Sequence, residues 1–353
     1  MPGRGPSSLA ADRLPDAPAA GEQWTRLALA GGNVFSTWEW TRAWLDHLGG
    51  EEDFAPLAVS RDDGELVAIL PLSVARKGPL RVARIAGHGP ADQLGPVCAP
   101  ADRAEVAAVF AAAATELAPV FLAERLERGE GWGSSLGGRL LQSEPSPTLD
   151  LRGRDWEGYL ADRSSNFRSQ VRRAERKLIR EHGLSYRLAD AATFEADFET
   201  LLRLHRARWA DDSDSFDGPV EAFHREFAAV ALAKGWLRLW VASADGRDVA
   251  AWYGLRFGGA ESFYQAGRDP AWERSKVGFV LLAQTIRAAF EDGLEEYRFL
   301  RGGETYKSRF TDAGTAVETV VASRGPLGGV TAALAERAVG SDRGRRLLAR
   351  LAG

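Results

Sequence analysis

The chain has 353 residues, 45% of them hydrophobic and 27% charged, and a formal net charge of -4. That balance suits a soluble globular protein of one large or two ordinary domains and excludes a disordered or fibrous chain. Global acidity argues against a dedicated duplex-DNA binder, and a single cysteine, Cys98, excludes an intramolecular disulfide and any multi-cysteine zinc site.

Cysteine usage fits a reducing cytoplasm, and Cys98 in "GPVCAP" reads as a small buried residue rather than a catalytic thiol. Residues 1–22 are rich in Pro, Ala, Gly and Ser and lack an apolar run after the first charges, which predicts a disordered lead-in with nothing to mark it for export. The most apolar long segment, 106–123, is interrupted by Glu116 and Pro119, so no membrane span is expected.

Taken in order, 24–49 holds Trp40, Trp44, Leu45 and Leu48 at helical spacings and stops at Gly49-Gly50, which predicts one amphipathic helix. "FAPLAVSRDDGELVAILPLSVA" places two apolar runs around an Asp-Gly turn, the signature of a hairpin. A short strand in "RVARIA", a Gly/Pro-rich loop containing Asp92, a helix over 101–117 and a strand "PVFLAERL" complete a first α/β unit ending near Leu151.

The stretch "NFRSQVRRAERKLIREHG", Asn166 to Gly183, carries six Lys/Arg against two Glu. Phe167, Val171, Ala174 and Leu178 fall on one face, so the segment is a helix packed on a core. Beside that stripe Arg168, Arg172, Arg176 and Arg180 form a ladder at i+4 spacing, widened by Arg173 and Lys177. Like charges so placed repel, and the helix either presents a solvated face, meets acidic groups of the protein, or binds an anion.

The pattern then recurs: a strand "LSYRLAD", helices near 191–210 and 220–234, and three strands over 236–268 turned at Asp245-Gly246 and Gly258-Gly259. A helix over 278–291 follows, then a strand "EEYRFLRG", and an Ala/Leu/Arg-rich helix over 326–353. This repetition predicts a duplicated α/β fold with mixed sheets. The expected division is a lead-in at 1–22, a first subdomain at 23–151, connecting helices at 152–183, a second subdomain at 184–325 and a terminal helix at 326–353.

Two segments carry the chemistry. "FYQAGRDPAWERSKVGFVLL" runs from a strand through a polar turn into a helix start, where unpaired N–H groups and the positive dipole end suit a pyrophosphate or an oxyanion; Arg274 and Lys276 add charge there. "YRFLRGGETYKSRF" runs a strand carrying Arg301 into Gly302-Gly303, then Glu304, Tyr306, Lys307 and Phe310. Gly-Gly permits close backbone approach, and Lys307 is placed to hold an anion or to stabilise charge on an acyl oxygen.

At these segments, and at "FSTWEWTRAW", "NFRSQVRRAERKL" and "LHRARW", the chain resembles GNAT-type acyltransferases of the CelD/BcsL kind, relatives of the Fem-type aminoacyltransferases. The resemblance covers roughly residues 30 to 312. It implies an α/β fold of two tandem GNAT-like subdomains with mixed, largely antiparallel sheets flanked by helices. It also implies transfer of an acyl or aminoacyl group to a small-molecule amine, with acyl-CoA or aminoacyl-tRNA as donor and no metal.

In the family's R/Q-x-x-G-x-G/A loop the glycine follows the Arg or Gln by three positions; here Arg274 precedes Gly278 by four and no second small residue follows at the right step. Acyl-CoA, an aminoacyl-tRNA and another activated donor therefore all stay open. By resemblance, Lys307 assists transfer and the Arg172/Arg173 region holds a diphosphate.

Acyl transfer to an amine needs a neutral nucleophile, a route for its proton and oxyanion stabilisation, with no covalent enzyme intermediate. Lys307 and backbone N–H groups are assigned to the oxyanion, and Arg274 with the helix start at Gly278 to the donor. Glu304, Asp269 and His205 are the candidate proton acceptors. Tyr264, Gln265 and Arg268, at a strand end, are candidates to orient substrate, joined by Arg301, Tyr306, Phe310 and Asp92. The competing readings are an aminoacyl-tRNA-dependent transferase, whose basic helix would meet RNA phosphates, and a binding module that kept the fold and lost the chemistry. Oligomeric state is not legible.

Overall fold

Apolar runs broken by Gly, Pro and Asp-Gly turns make short strands, and 3.6-residue periodicity makes the helices between them. The computed structural model describes residues 9–77, 80–209, 213, 215–325 and 329. They form two units: one from the described residues up to Pro145 and from Thr315 onward, the other from Ser146 to Gly314. This differs from the division expected at 151, 184 and 325, since the strand after Gly314 returns to the first unit. The helix expected at 326–353 lies outside the described residues, apart from residue 329.

The first unit begins with β1 (Ala11–Arg13), inside the segment expected to be a disordered lead-in. Two helices, α1 (Gly21–Gly31) and α2 (Trp38–His47), replace the single helix expected over 24–49. Gly32 closes α1 in a left-handed conformation at φ 70°, and Thr37 opens α2 by accepting a hydrogen bond from the Trp40 N–H at 3.2 Å. Trp24, Trp40 and Trp44 are fully buried there, and each contributes on the order of 2–3 kcal/mol by leaving water.

Strands β2 (Asp53–Phe54), β3 (Leu57–Ser60), β4 (Leu66–Leu70), β5 (Leu72–Lys77), β6 (Leu80–Ile85) and β7 (Val97–Cys98) follow. Strand β3 and β4 are the hairpin read from the Asp-Gly turn. Pro71 divides what read as one long strand, so that β4 pairs with β3 and β7 while β5 pairs with β2 and β6. Helix α3 (Arg103–Leu117), β8 (Val120–Glu127), α4 (Trp132–Ser135) and β9 (Arg139–Asp150) complete this stretch. The sequence showed no strand at β9, because Pro145 and Pro147 argue against one. Cys98 is buried, and desolvation pushes its thiol up to about 12, which keeps it protonated.

In the second unit, α5 (Trp156–Asp162) and α6 (Ser165–His182) precede β10 (Ser185–Leu188), α7 (Phe194–Trp209) and α8 (Pro219–Ala233). Then come β11 (Leu237–Ala244), β12 (Arg247–Phe257), β13 (Ala260–Arg268), α9 (Val277–Glu291) and β14 (Glu296–Arg298). The sheet order is β10-β11-β12-β13-β14, with Thr148–Asp150 of β9 beyond β14. All pairs are antiparallel except β13 with β14. The chain then enters β15 (Gly314–Ser323), which pairs with β8 in the first unit. The mixed α/β class expected from sequence holds, with antiparallel pairing dominant and helices flanking the sheets.

The basic helix α6 is built as its pattern demands. Ser164 caps it by accepting from the Phe167 N–H at 3.2 Å, and Gly183 ends it in the left-handed region at φ 59°. Phe167, Val171 and Leu178 are buried and Ala174 is half-buried in one apolar cluster with Trp156, Val280, Leu281 and Phe310. A helix with this much like charge is held by that stripe, not by its own propensity.

Candidate active site

The site grows from a strand that loses its neighbour. β13 pairs in parallel with β14 only through Ala260–Ser262 and Glu296–Arg298; from Phe263 to Arg268 it continues with β12 alone. The freed edge carries backbone donors and acceptors that another extended chain can use.

Beside it opens a cavity of about 380 Å³. Ala250, Ala251, Ala266 and Gly267 keep the sheet side shallow, and Trp252, Phe263, Phe279, Tyr306 and Phe310 wall it. Arg208, Arg268, Glu273, Lys276 and Arg309 supply its charged lining. The size and the mix of apolar wall and few polar groups are those of a small-molecule site.

Helix α9 starts on this cavity: Val277 and Gly278 line it, and no side chain caps the helix. Lys276, at the cap position, sits in the left-handed region at φ 60°. The first amide to return to the chain is that of Val280, which donates to the Lys276 carbonyl. The dipole end and Lys276 together favour negative charge here.

Electrostatics point the same way. Arg268 is paired with Glu273. Arg208 has no carboxylate partner among the described residues and lies over the Trp209 ring at 4.4 Å. Burial, and then the nearby Arg268 guanidinium, pull Arg208 below its ordinary range. A cation held without an anion in a half-buried place is the residue here whose charge a ligand would answer.

The second face of the sheet differs. Trp252 packs toward Phe263 and Tyr297, while Tyr253, one residue on, packs against Phe198 and His224 from α7 and α8. A β-bulge opposite Tyr253 and Gly254 makes Tyr264 the extra residue, so Tyr264 and Gln265 both turn to the α7/α8 side. Tyr264 reaches His224 at 3.4 Å and Gln265 reaches the Ser215 hydroxyl at 3.5 Å. His205 is buried against the Phe216 edge, and desolvation pushes it down to about 4, so it is a neutral imidazole at pH 7. Gly267 permits this packing: a Cβ there would lie 2.2 Å from the His205 nitrogen.

Of the residues singled out by sequence, Arg268, Gly278, Tyr306 and Phe310 meet at the cavity, while His205, Tyr264 and Gln265 meet on the other face. Lys307 does neither. It is 3% exposed and its ammonium donates to the carbonyls of Leu300 (3.3 Å), Arg301 (2.7 Å) and Gly302 (3.3 Å), with Glu304 at 2.8 Å. All its donors are engaged within its own turn, so it shapes the loop instead of facing the acyl oxygen. Glu304 is the exposed partner of that ammonium.

Asp269 caps the turn after β13 by accepting from the Ala271 N–H at 2.9 Å. Arg301 contributes its carbonyl to Lys307. Arg172 and Arg173 diverge, as adjacent helical residues must: Arg172 pairs with Glu157, and Arg173 lines a different recess together with Arg274. Asp92 belongs to the first unit and lines neither recess.

Two residues were missed as site members. Arg208 follows Leu204 by one helical turn on the buried face of α7, and that position was the available signal. Lys276 was seen as added charge only; its left-handed cap position was not legible. Among the described residues no group of three or more His, Cys, Asp or Glu is placed to hold a metal ion, and no helix is long and apolar enough to cross a membrane.

Comparison with known proteins agrees with this geometry. Residues 165–308 match the family model described as an acetyltransferase (GNAT) domain. No curated protein matches the chain. Among solved structures the fold is similar to FemX, at 11% identity over 86% of this chain and 96% of that one with a TM-score of 0.61. It is similar to the L-PGS of Bacillus licheniformis, at 16% identity over 93% and 98% with a TM-score of 0.57. A tandem GNAT protein from the clavulanic acid biosynthesis pathway matches at 14% identity over 90% and 99%, with a TM-score of 0.51. These likenesses extend across both units, so the fold is that of tandem GNAT-like subdomains, and the match to the GNAT acetyltransferase model falls within residues 165–308.

Proposed function

We propose that the protein transfers an acyl group from an acyl-CoA thioester to the amine of a small molecule, by direct attack and in the cytoplasm. One observation carries this: the β13 edge beyond Ser262, the uncapped start of α9 and Arg208, which has no carboxylate partner among the described residues, all face one cavity of about 380 Å³. An extended amide-bearing arm can pair with the strand edge while the adjoining phosphates meet Lys276 and the helix start.

In this reading the donor lies on the α9 face and the amine arrives from the α7/α8 face, past Tyr264 and Gln265. The C–N bond forms, the C–S bond breaks, and the nitrogen's proton ends on the thiol. Backbone N–H groups of the free β13 edge stabilise the tetrahedral oxyanion. Lys307, holding the carbonyls from Leu300 to Gly302, positions the wall that carries Tyr306. The neutral His205 orients the acceptor side rather than serving as a strong base, since its affinity for protons is low.

An aminoacyl-tRNA donor is the second reading, favoured by the fold likeness to FemX and L-PGS. Against it, an aminoacyl group brings an ammonium, and among the described residues the one carboxylate lining the cavity, Glu273, already faces Arg268 while Arg208 has no acidic partner. Release of free thiol, measured with acetyl- to hexanoyl-CoA and a panel of primary amines, tests the proposal. Amine-dependent release supports it; transfer only from charged tRNA would replace it with the second reading.

A further inference from the structure

Helix α6 spreads its cations over two recesses. Arg173 and Lys177 line the one beside Arg274, which has no carboxylate in its lining among the described residues. Arg172 and Arg176 line the other, a groove of about 540 Å³ between α5, α6 and the last turns of α9. Its size suits a small molecule, and it shares no lining residue with the cavity of about 380 Å³ described above.

The floor of this groove is apolar and its rim is charged. Trp156 and Phe290 supply two rings with centroids 6.2 Å apart, beside Leu160 and Val171. Two ion pairs tie the walls together: Arg172 with Glu157 of α5, and Arg287 of α9 with Glu175 of α6 at 2.8 Å. Asp155 is spent as the cap of α5, accepting from the Gly158 N–H at 2.7 Å. Two opposite charges stay outside these pairs. Arg176 gives its Nε to the Arg172 carbonyl at 3.0 Å and has no carboxylate partner among the described residues, and Glu291 has no cationic one. Arg176 directly follows Glu175, and Glu291 lies one helical turn after Arg287, so both flank the bridge that joins the two helices.

A cation and a carboxylate left beside each other over an aromatic floor are answered together by a zwitterion with an apolar side chain; a simple amine or a simple acid answers only one of them. We infer that the groove is an effector site for a free α-amino acid with a large apolar side chain. Its carboxylate meets Arg176, its ammonium meets Glu291, and its side chain covers Trp156 and Phe290.

The floor also reaches the other cavity. Trp156 and Phe290 pack on the fully buried Tyr159 at 5.4 and 5.5 Å, and the Tyr159 hydroxyl donates to the Phe310 carbonyl at 2.8 Å. Phe310 is a wall of that cavity. A side chain seated on the floor therefore bears on the wall through one buried ring and one hydrogen bond.

Calorimetry on the full chain with phenylalanine, phenethylamine, 3-phenylpropanoate and glycine tests the site. It is repeated on the Arg176→Gln and Glu291→Gln proteins, with Arg180→Gln as a control on the same helix. We expect phenylalanine to bind about tenfold more tightly than each of the other three, both groove variants to weaken it about tenfold at unchanged melting temperature, and Arg180→Gln to change nothing. Hydrogen–deuterium exchange reads the link: phenylalanine should slow exchange around residues 307–311 in the wild-type chain and not in Tyr159→Phe, which keeps the ring and loses the bond to Phe310. Absent phenylalanine binding, equal binding of the singly charged analogues, or unchanged affinity in both groove variants overturns the site. Binding that leaves exchange at 307–311 unaltered overturns its effector role. Because neither measurement uses acyl-CoA, failure of the transfer reading above would leave both results standing.

Discussion

The ammonium of Lys307 donates to the carbonyl of Leu300, and Leu300 holds its backbone in the left-handed region at φ 56°. A non-glycine residue there is strained by on the order of 1–3 kcal/mol, and the buried lysine, gripping three successive carbonyls, holds the turn in place. Replacing Lys307 by Met leaves those carbonyls without their donor. Stability in urea unfolding should fall by about 1–3 kcal/mol, and turnover should fall with it because the wall bearing Tyr306 shifts. A variant that loses turnover at full stability would restore a direct catalytic role to the lysine.

Gly267 and His205 give a second prediction. Gly267→Ala puts a methyl group 2.2 Å from the backbone nitrogen of His205, so α7 must move off β13. Destabilisation of at least about 1–3 kcal/mol is expected, measured as a lower urea midpoint at unchanged slope.

Arg208 behaves oppositely. Because it is partly buried and has no carboxylate partner among the described residues, Arg208→Met should leave the melting temperature unchanged or raise it, while the KM for acyl-CoA rises about tenfold with kcat less affected. Steady-state kinetics beside a thermal melt separates these effects, and an unchanged KM would remove Arg208 from the donor site.

Stability should depend on pH through the buried histidines. His205 is pushed down to about 4 and His224 to about 3 by burial, from an ordinary value of 6.5. Each is neutral in the folded chain where the unfolded chain would bind a proton, so its contribution is complete above about pH 6.5 and is lost as pH falls through that value toward the folded one. Between pH 6.5 and 5 ordinary carboxylates remain ionised, so a decline in unfolding free energy over that window reports the histidines. His205→Gln should make it shallower, with His224 and His88, which burial also lowers, carrying the rest, and an equally steep decline in that variant would contradict the assignment.

Much of this was readable beforehand, for definite reasons. α6 and α9 carry long apolar stripes with clear stops, and the Asp245-Gly246 and Gly258-Gly259 turns fix β11 to β13 in register. The split of the first predicted helix at Gly31-Gly32 and of one predicted strand at Pro71 were both signalled by residues that the longer periodicity masked. The site was legible as segments but not as faces. A one-residue bulge at Tyr264 sends it away from Arg268, to the face where ordinary alternation already puts Gln265, and the inward aim of Lys307 depends on the carbonyls of a turn whose shape no local pattern states. The six cations of α6 looked like one ladder; the partners that sort them, Glu157 and Glu181 against an acid-free recess, come from tertiary structure.

Hydrogen–deuterium exchange of the wild-type chain with and without acyl-CoA tests the central claim most directly. The account predicts slowed exchange in peptides covering Phe263–Arg268 and the first turn of α9, Val277–Phe279, with little change in β10 or α8. Binding of acyl-CoA with unchanged exchange in both of those segments would contradict it.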